Sequence, residues 1–194
     1  KGELEMIYTT LNKLKKEFPC EDGWNTLVLS LGKAHFIRKD GIFGGSDDEP
    51  VSLAHIVESN GIDDALWATR AVPEQSKKWR LYAVWCARQV QYLTSDARSI
   101  AVVGVSERFA NGEATREELA TALSDAWNAA SEAPSDVGTT EREAMAAARY
   151  AAGGIPRHAA MAAATATTSY AGDFATAAVR DAQKTEFLRI LMEN

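Results

Sequence analysis

Between Asn60 and Gly112 stand three of the five tryptophans, Trp67, Trp79 and Trp85, and five arginines, Arg70, Arg80, Arg88, Arg98 and Arg108, all interleaved with apolar residues. A guanidinium can hold a phosphate or carboxylate through two parallel hydrogen bonds, and an indole can stack on a base. Trp67, Arg70, Arg80, Trp85, Arg88 and Asp64 are therefore the candidate binding residues for a nucleotide-like anion. The competing reading is structural, because tryptophans bury large areas in cores and clustered arginines also serve ion-pair networks. Arg80 and Arg88 are eight residues apart, about 80° around a helix and two turns apart in height. An inward Arg88 has to pair with Glu107, Asp64 or an exogenous anion, since an unpaired buried cation is very costly. An internal salt bridge is the expectation for Arg88, and an exposed contact role for Arg80.

Local motifs for catalysis are missing. His35, His55 and His158 share no motif, and H-x-x-x-H, C-x-x-C and H-E-x-x-H do not occur, so neither catalytic residues nor metal ligands are assigned. No nucleophile elbow, Walker loop or dinucleotide fingerprint is present, so no cofactor is expected. Gly44-Gly45-Ser46 reads as a flexible loop rather than a phosphate cradle. Asp47-Asp48-Glu49 can attract a cation, but ahead of Pro50 it reads as acidic charge at a helix start. Asp63 is expected to be an N-cap by the same logic.

The elements that must position these residues are helices. Leu4, Ile7, Leu11, Leu14 and Phe18 form one apolar stripe of about four turns, stopped at Pro19. Asp22 is placed to cap a helix whose inner face is Trp24, Leu27, Val28 and Leu31, ended by Gly32. Lys33 to Glu49 has no helical period and reads as a loop or a short hairpin around Asp40-Gly41. A short helix from Pro50 closes at Asn60-Gly61, the next carries Leu66, Trp67 and Val72, and Pro73 precedes a central helix from Glu74 to Leu93. That helix places Leu81, Val84, Trp85, Arg88 and Tyr92 along one face. Ser95 or Asp96 caps a helix ending at Asn111-Gly112, and Thr115 to Glu118 is a capping box before the stripe Leu119, Leu123 and Trp127. Pro134 to Thr140 is a linker. From Glu141 to Ala182, 17 of 42 residues are alanine, which predicts close-packed helices broken at Gly153-Gly154 and restarted at Pro156. The last helix carries Phe174, Phe187, Leu188 and Leu191. The expected fold is all-α, a single compact bundle of nine to ten helices with a loop or hairpin insertion at residues 34–49. Residues 1–133 form a helical core, and 134–194 an alanine-rich region packed on it as part of one domain.

At 194 residues and 46% hydrophobic content the chain can bury one good core or two small ones. Its net charge of −6 argues against broad nucleic-acid binding. Cys20 and Cys86 are too few for a disulfide framework and suit a reducing cytoplasm. No stretch is apolar enough to span a bilayer, and no secretory signal is visible, so no membrane role is expected.

The strings D-D-A-L-W-A-T-R-A-V, R-L-Y-A-V-W-C-A-R-Q-V-Q-Y-L, D-A-R-S-I and E-R-F-A-N-G-E-A-T resemble a family of alanine-rich helical immunity proteins encoded by tailed bacteriophages and bacteria. C-E-D-G-W, L-G-K and the alanine-rich helices extend the resemblance over nearly the whole chain, most specifically residues 60–115. The chain departs from that pattern at His35 to Ser46, which looks like an insertion, and in having fewer Trp-Ala-Ala units. The resemblance implies an all-helical protein acting in a bacterial cell during conflict between phage, host or toxin. It carries over no catalytic residue.

Two functions follow as expectations. The first is a non-enzymatic phage-encoded inhibitor or immunity-type protein of the host cytoplasm that binds a host-defence or toxin protein, with acidic charge suited to a basic partner. The second is a protein that sequesters or weakly hydrolyses a nucleotide signal in the Arg/Trp cleft. Phe36-Ile37 and Ile42-Phe43 flank R-K-D-G as an exposed hairpin and are the candidate partner contacts, so removing residues 36–45 is expected to leave stability nearly unchanged.

Overall fold

A computed structural model describes residues 6–39 and 42–193, apart from the side chains of Asp173 and Phe174. The fold is all-α, with ten α-helices and one two-stranded ribbon among the described residues. It gathers into two compact units, Lys1–Glu74 with Phe187–Asn194, and Gln75–Glu186.

In the first unit, β1 (Tyr8–Thr9) pairs antiparallel with β2 (Val51–Ser52), Tyr8 opposite Ser52. The expected four-turn opening helix is thus shortened to α1 (Leu11–Lys16), and Leu4 lies outside the described residues. The cause is local: Tyr8 and Thr9 take the extended backbone that aromatic and β-branched residues favour, and Thr10 caps α1 by accepting from the Lys13 amide. Phe18, expected in the stripe, is 84% exposed and left-handed at φ 55°, just before Pro19. Helix α2 (Glu21–Ser30) buries Trp24, Leu27 and Val28, and Gly32 ends it at φ 70°. Its cap is Cys20, whose sulfur accepts from the Gly23 amide; Asp22 stands in the first turn instead. Helix α3 (Leu53–Asn60) starts from the Ser52 cap rather than Pro50. Helix α4 (Ile62–Ala68) starts from Gly61, at φ 87°, so Asp63 is a first-turn acid and not the cap.

The second unit holds α5 (Ser76–Val90), α6 (Ala97–Ala110), α7 (Arg116–Glu132), α8 (Thr139–Gly153) and α9 (Pro156–Ala171). Asp96 caps α6 through the Arg98 and Ser99 amides, and Thr115 and Glu118 form both halves of the capping box on α7. Helices α8 and α9 pack against each other and both against α5. Ala147, Ala151, Ala159, Ala160 and Ala166 are fully enclosed, because a methyl side chain lets backbones approach closely. The composition shift at residue 134 falls inside this unit. Two expectations fail here. Tyr92 is 67% exposed because it follows the exposed Arg88 by four residues, on the outward side of the helix. Trp127 is 54% exposed because the buried stripe of α7 is Leu119, Ala126 and Ala129. Helix α10 (Asp173–Met192) starts among the residues of the second unit, and its buried Phe187, Ile190 and Leu191 belong with the first.

Candidate functional site

The six Arg/Trp/Asp candidates divide three and three between the units. In the second, Arg80 on α5 turns its guanidinium onto the end of α8. It donates to the Ala152 carbonyl and, at 3.4 Å, to the Ala151 carbonyl, and lies 5.1 Å from the Phe109 ring centroid. The last carbonyls of a helix lack intrahelical partners, so this guanidinium acts as a C-terminal cap. A Cβ at Gly154, whose φ is 67°, would sit 2.9 Å from Arg80 Nη2, so both backbone and space require glycine there. Burial depresses the Arg80 pKa. The exposed contact expected for Arg80 is therefore replaced by a half-buried structural one. Trp85 is half-buried and stacks on Tyr82 at 6.2 Å. Arg88 does pair with Glu107, but at the surface, their side chains 45% and 41% exposed. The internal ion pair is corrected to an exposed one, because Arg88 and Gln89 occupy the outward sector of α5.

In the first unit, Asp64 accepts from Asn60 Nδ2 at 2.9 Å, and the same amide donates to the Gly23 carbonyl at 2.7 Å. Asn60 thereby links Gly23 of α2 to Asp64 of α4, and a Cβ at Gly23 would lie 2.7 Å from Asp64 Oδ2. Trp67 is half-buried on α4, and Arg70 is exposed in the 3₁₀ turn Thr69–Ala71.

The segment expected to be a loosely attached hairpin is seated in the first unit. Lys39 and Ile42 exchange backbone hydrogen bonds of 3.2 and 2.9 Å; the proposed turn residues Asp40 and Gly41 lie outside the described residues. Phe36 is only 6% exposed, and its carbonyl accepts from Trp24 Nε1 at 2.7 Å. Phe43 meets Trp24 edge-on at 4.9 Å and carries the Arg38 guanidinium at 4.7 Å, while Ile37 is half-buried. Of the four candidate contacts only Ile42, 71% exposed, is open. The expectation of a dispensable segment is thus overturned, because its aromatic rings complete the packing around Trp24. Polar ties add to this. Asn12 bonds to the Asp47 backbone in both directions and to Ser46, Thr10 donates to Asp48, and Lys15 donates to the Gly44 and Gly45 carbonyls.

Seated this way, the segment walls an open groove of about 670 Å³ lined by Lys33, His35, Phe36, Ser46, Asp47, Asp48, Glu49 and Pro50. Lys33 bridges Asp47 and Glu49, and its hydrogen bond holds the Asp47 carboxyl below the usual carboxylate range. Asp48 is exposed, and the Glu49 side chain is 77% exposed. The first unit carries 9 basic against 14 acidic residues, and the second 12 against 13. Cys86 is buried, its thiol pushed up to about 12, mainly by burial, which makes it inert.

One arrangement escaped the sequence reading. Arg149 on α8 covers the exposed Trp127 ring on α7, its guanidinium carbon 4.7 Å from the centroid. The available signal was the alternative stripe Leu119, Ala126 and Ala129, which leaves Trp127 outward. No helix among the described residues is long and apolar enough to cross a membrane. The chain matches no family model, and no curated protein or solved structure is significantly similar to it.

Proposed function

We propose that the chain is a non-enzymatic binding protein of immunity type, a phage-encoded inhibitor that blocks a host-defence or toxin protein in the bacterial cytoplasm by covering a basic surface. The observation that carries this reading is the concentration of the acidic excess in the first unit, where the seated segment presents Asp48 and Glu49 beside an open groove. An acidic face steers a basic partner and sets register. Arg80 and Arg88 are already engaged by Ala152 and Glu107, which weighs against a nucleotide site built from them. The test is capture from bacterial lysate on immobilised wild type and on the Asp48→Asn, Glu49→Gln double variant, with native mass spectrometry of the wild type in a nucleotide mixture. A basic protein retained by wild type and reduced on the double variant is the expected result. Equal retention on both, or a stoichiometric or converted nucleotide, contradicts the proposal.

A further inference from the structure

Helices α7 and α8 carry a feature that the acidic face does not use. Trp127 is 54% exposed, and one face of its indole is covered by Arg149 at 4.7 Å. Arg149 has no carboxylate in ion-pair range among the described residues, and Glu143 acts on it only from farther away. Its Nη1 is enclosed without an acceptor, while Nε and Nη2 are not enclosed and make no hydrogen bond to a described residue. Stacking thus holds a half-desolvated guanidinium against the ring with two donor nitrogens left unpaired. Such a group loses little freedom on pairing and is most strongly satisfied by an oxyanion. Burial without a carboxylate neighbour also depresses its pKa.

The surroundings decide the kind of oxyanion carrier. Ala120, Ser124 and Ser131 lie within about 60° of Trp127 around α7, and all three are exposed. The Ser131 hydroxyl donates back to the Trp127 carbonyl at 3.0 Å. Beside the indole, α7 offers these small exposed residues and the half-buried Leu123, not the walls of a concave small-molecule site. A protruding tryptophan with an adjacent arginine on a field of small residues is instead the composition of a protein contact centre. We propose that Arg149 and Trp127 form a recognition contact for a protein segment that presents a carboxylate beside an aromatic or apolar side chain. The contact belongs to the second unit and is opposite in polarity to the acidic face of the first.

The test follows the arginine Nε–H and indole N–H signals of the full chain by heteronuclear NMR, assigned through Arg149→Lys and Trp127→Phe. The probes are acetyl-Phe-Glu-amide, acetyl-Phe-Gln-amide and inorganic phosphate. The acidic dipeptide should shift both signals saturably, and the neutral one should bind about tenfold more weakly, as expected for loss of a charge-assisted hydrogen bond. Arg149→Gln, which removes the charge, should abolish the preference for Glu over Gln with unchanged circular dichroism. Equal responses to the two dipeptides, a response to phosphate alone, or none at all overturns the proposal.

Discussion

The helices wholly within the first unit are 6 to 10 residues long, and those wholly within the second 14 to 17. Helices as short as the first set are marginal by themselves, and in this protein they are held by particular fastenings: Asn60 to Gly23 and Asp64, Lys15 to two carbonyls, Trp24 to Phe36. The longer helices rest on good propensity and on alanine faces that meet closely. The first unit should therefore be sensitive to losing a named contact, and the second to gaining volume. The unit with the specific fastenings also carries the acidic excess, so one segment both completes a core and presents charge.

The sharpest test of that contrast is Phe36→Ala, which empties a buried aromatic site and should cost about 3–5 kcal/mol by thermal or denaturant unfolding. Deletion of residues 36–45 should lose at least as much. Unchanged melting in either would return the segment to a surface appendage. In the second unit, Ala160→Leu should destabilise by about 1–3 kcal/mol through overpacking, measured in the same way. A neutral result would show that α8 and α9 do not meet closely. Arg80→Ala removes the half-buried donor to the end of α8 and should cost about 1–3 kcal/mol. Arg88→Ala breaks an exposed pair and should change stability by about 1 kcal/mol or less, far from the cost of opening a buried one.

Acid acts on both units, since Asp96 and Glu118 of the second are also held below the usual carboxylate range, and in the first it bears on the seated segment. The Asp47 carboxyl sits below its ordinary value because Lys33 donates to it, so the stability it contributes is full above the ordinary carboxylate range and is lost as the pH falls through its folded value. The melting temperature should decline below about pH 4, and Lys33→Met should flatten that part of the decline. An unaltered acid profile in the variant would remove the clamp from the account.

Much of the helical frame was legible because its signals are local. Thr115 with Glu118, Asp96, Gly32, Gly112 and the Gly154-Pro156 break mark helix ends through backbone chemistry that tertiary context did not override. The faces were less legible. Trp127 and Ala126 are adjacent on α7, and hydrophobicity alone favours burying the tryptophan, whereas the close approach of α7, α6 and α8 admits only the alanine. The role of Phe36 and Phe43 was hidden for a different reason: they have no helical period, and only the fold brings Trp24 against them. Glu107 is one of three partners that the sequence leaves open for Arg88, but the depth of the pair does not follow from it, since helical angle fixes direction and not the depth of neighbouring cover.

The charge contrast is tested most directly by the dissociation constant of the captured partner between about 0.1 M and about 1 M salt, over which the Debye length contracts from about 10 Å to about 3 Å. Wild type should bind progressively more weakly as salt rises, while Asp48→Asn, Glu49→Gln should start weaker and vary less. Equal affinities and equal salt dependence for the two proteins would contradict an acidic binding face on the first unit.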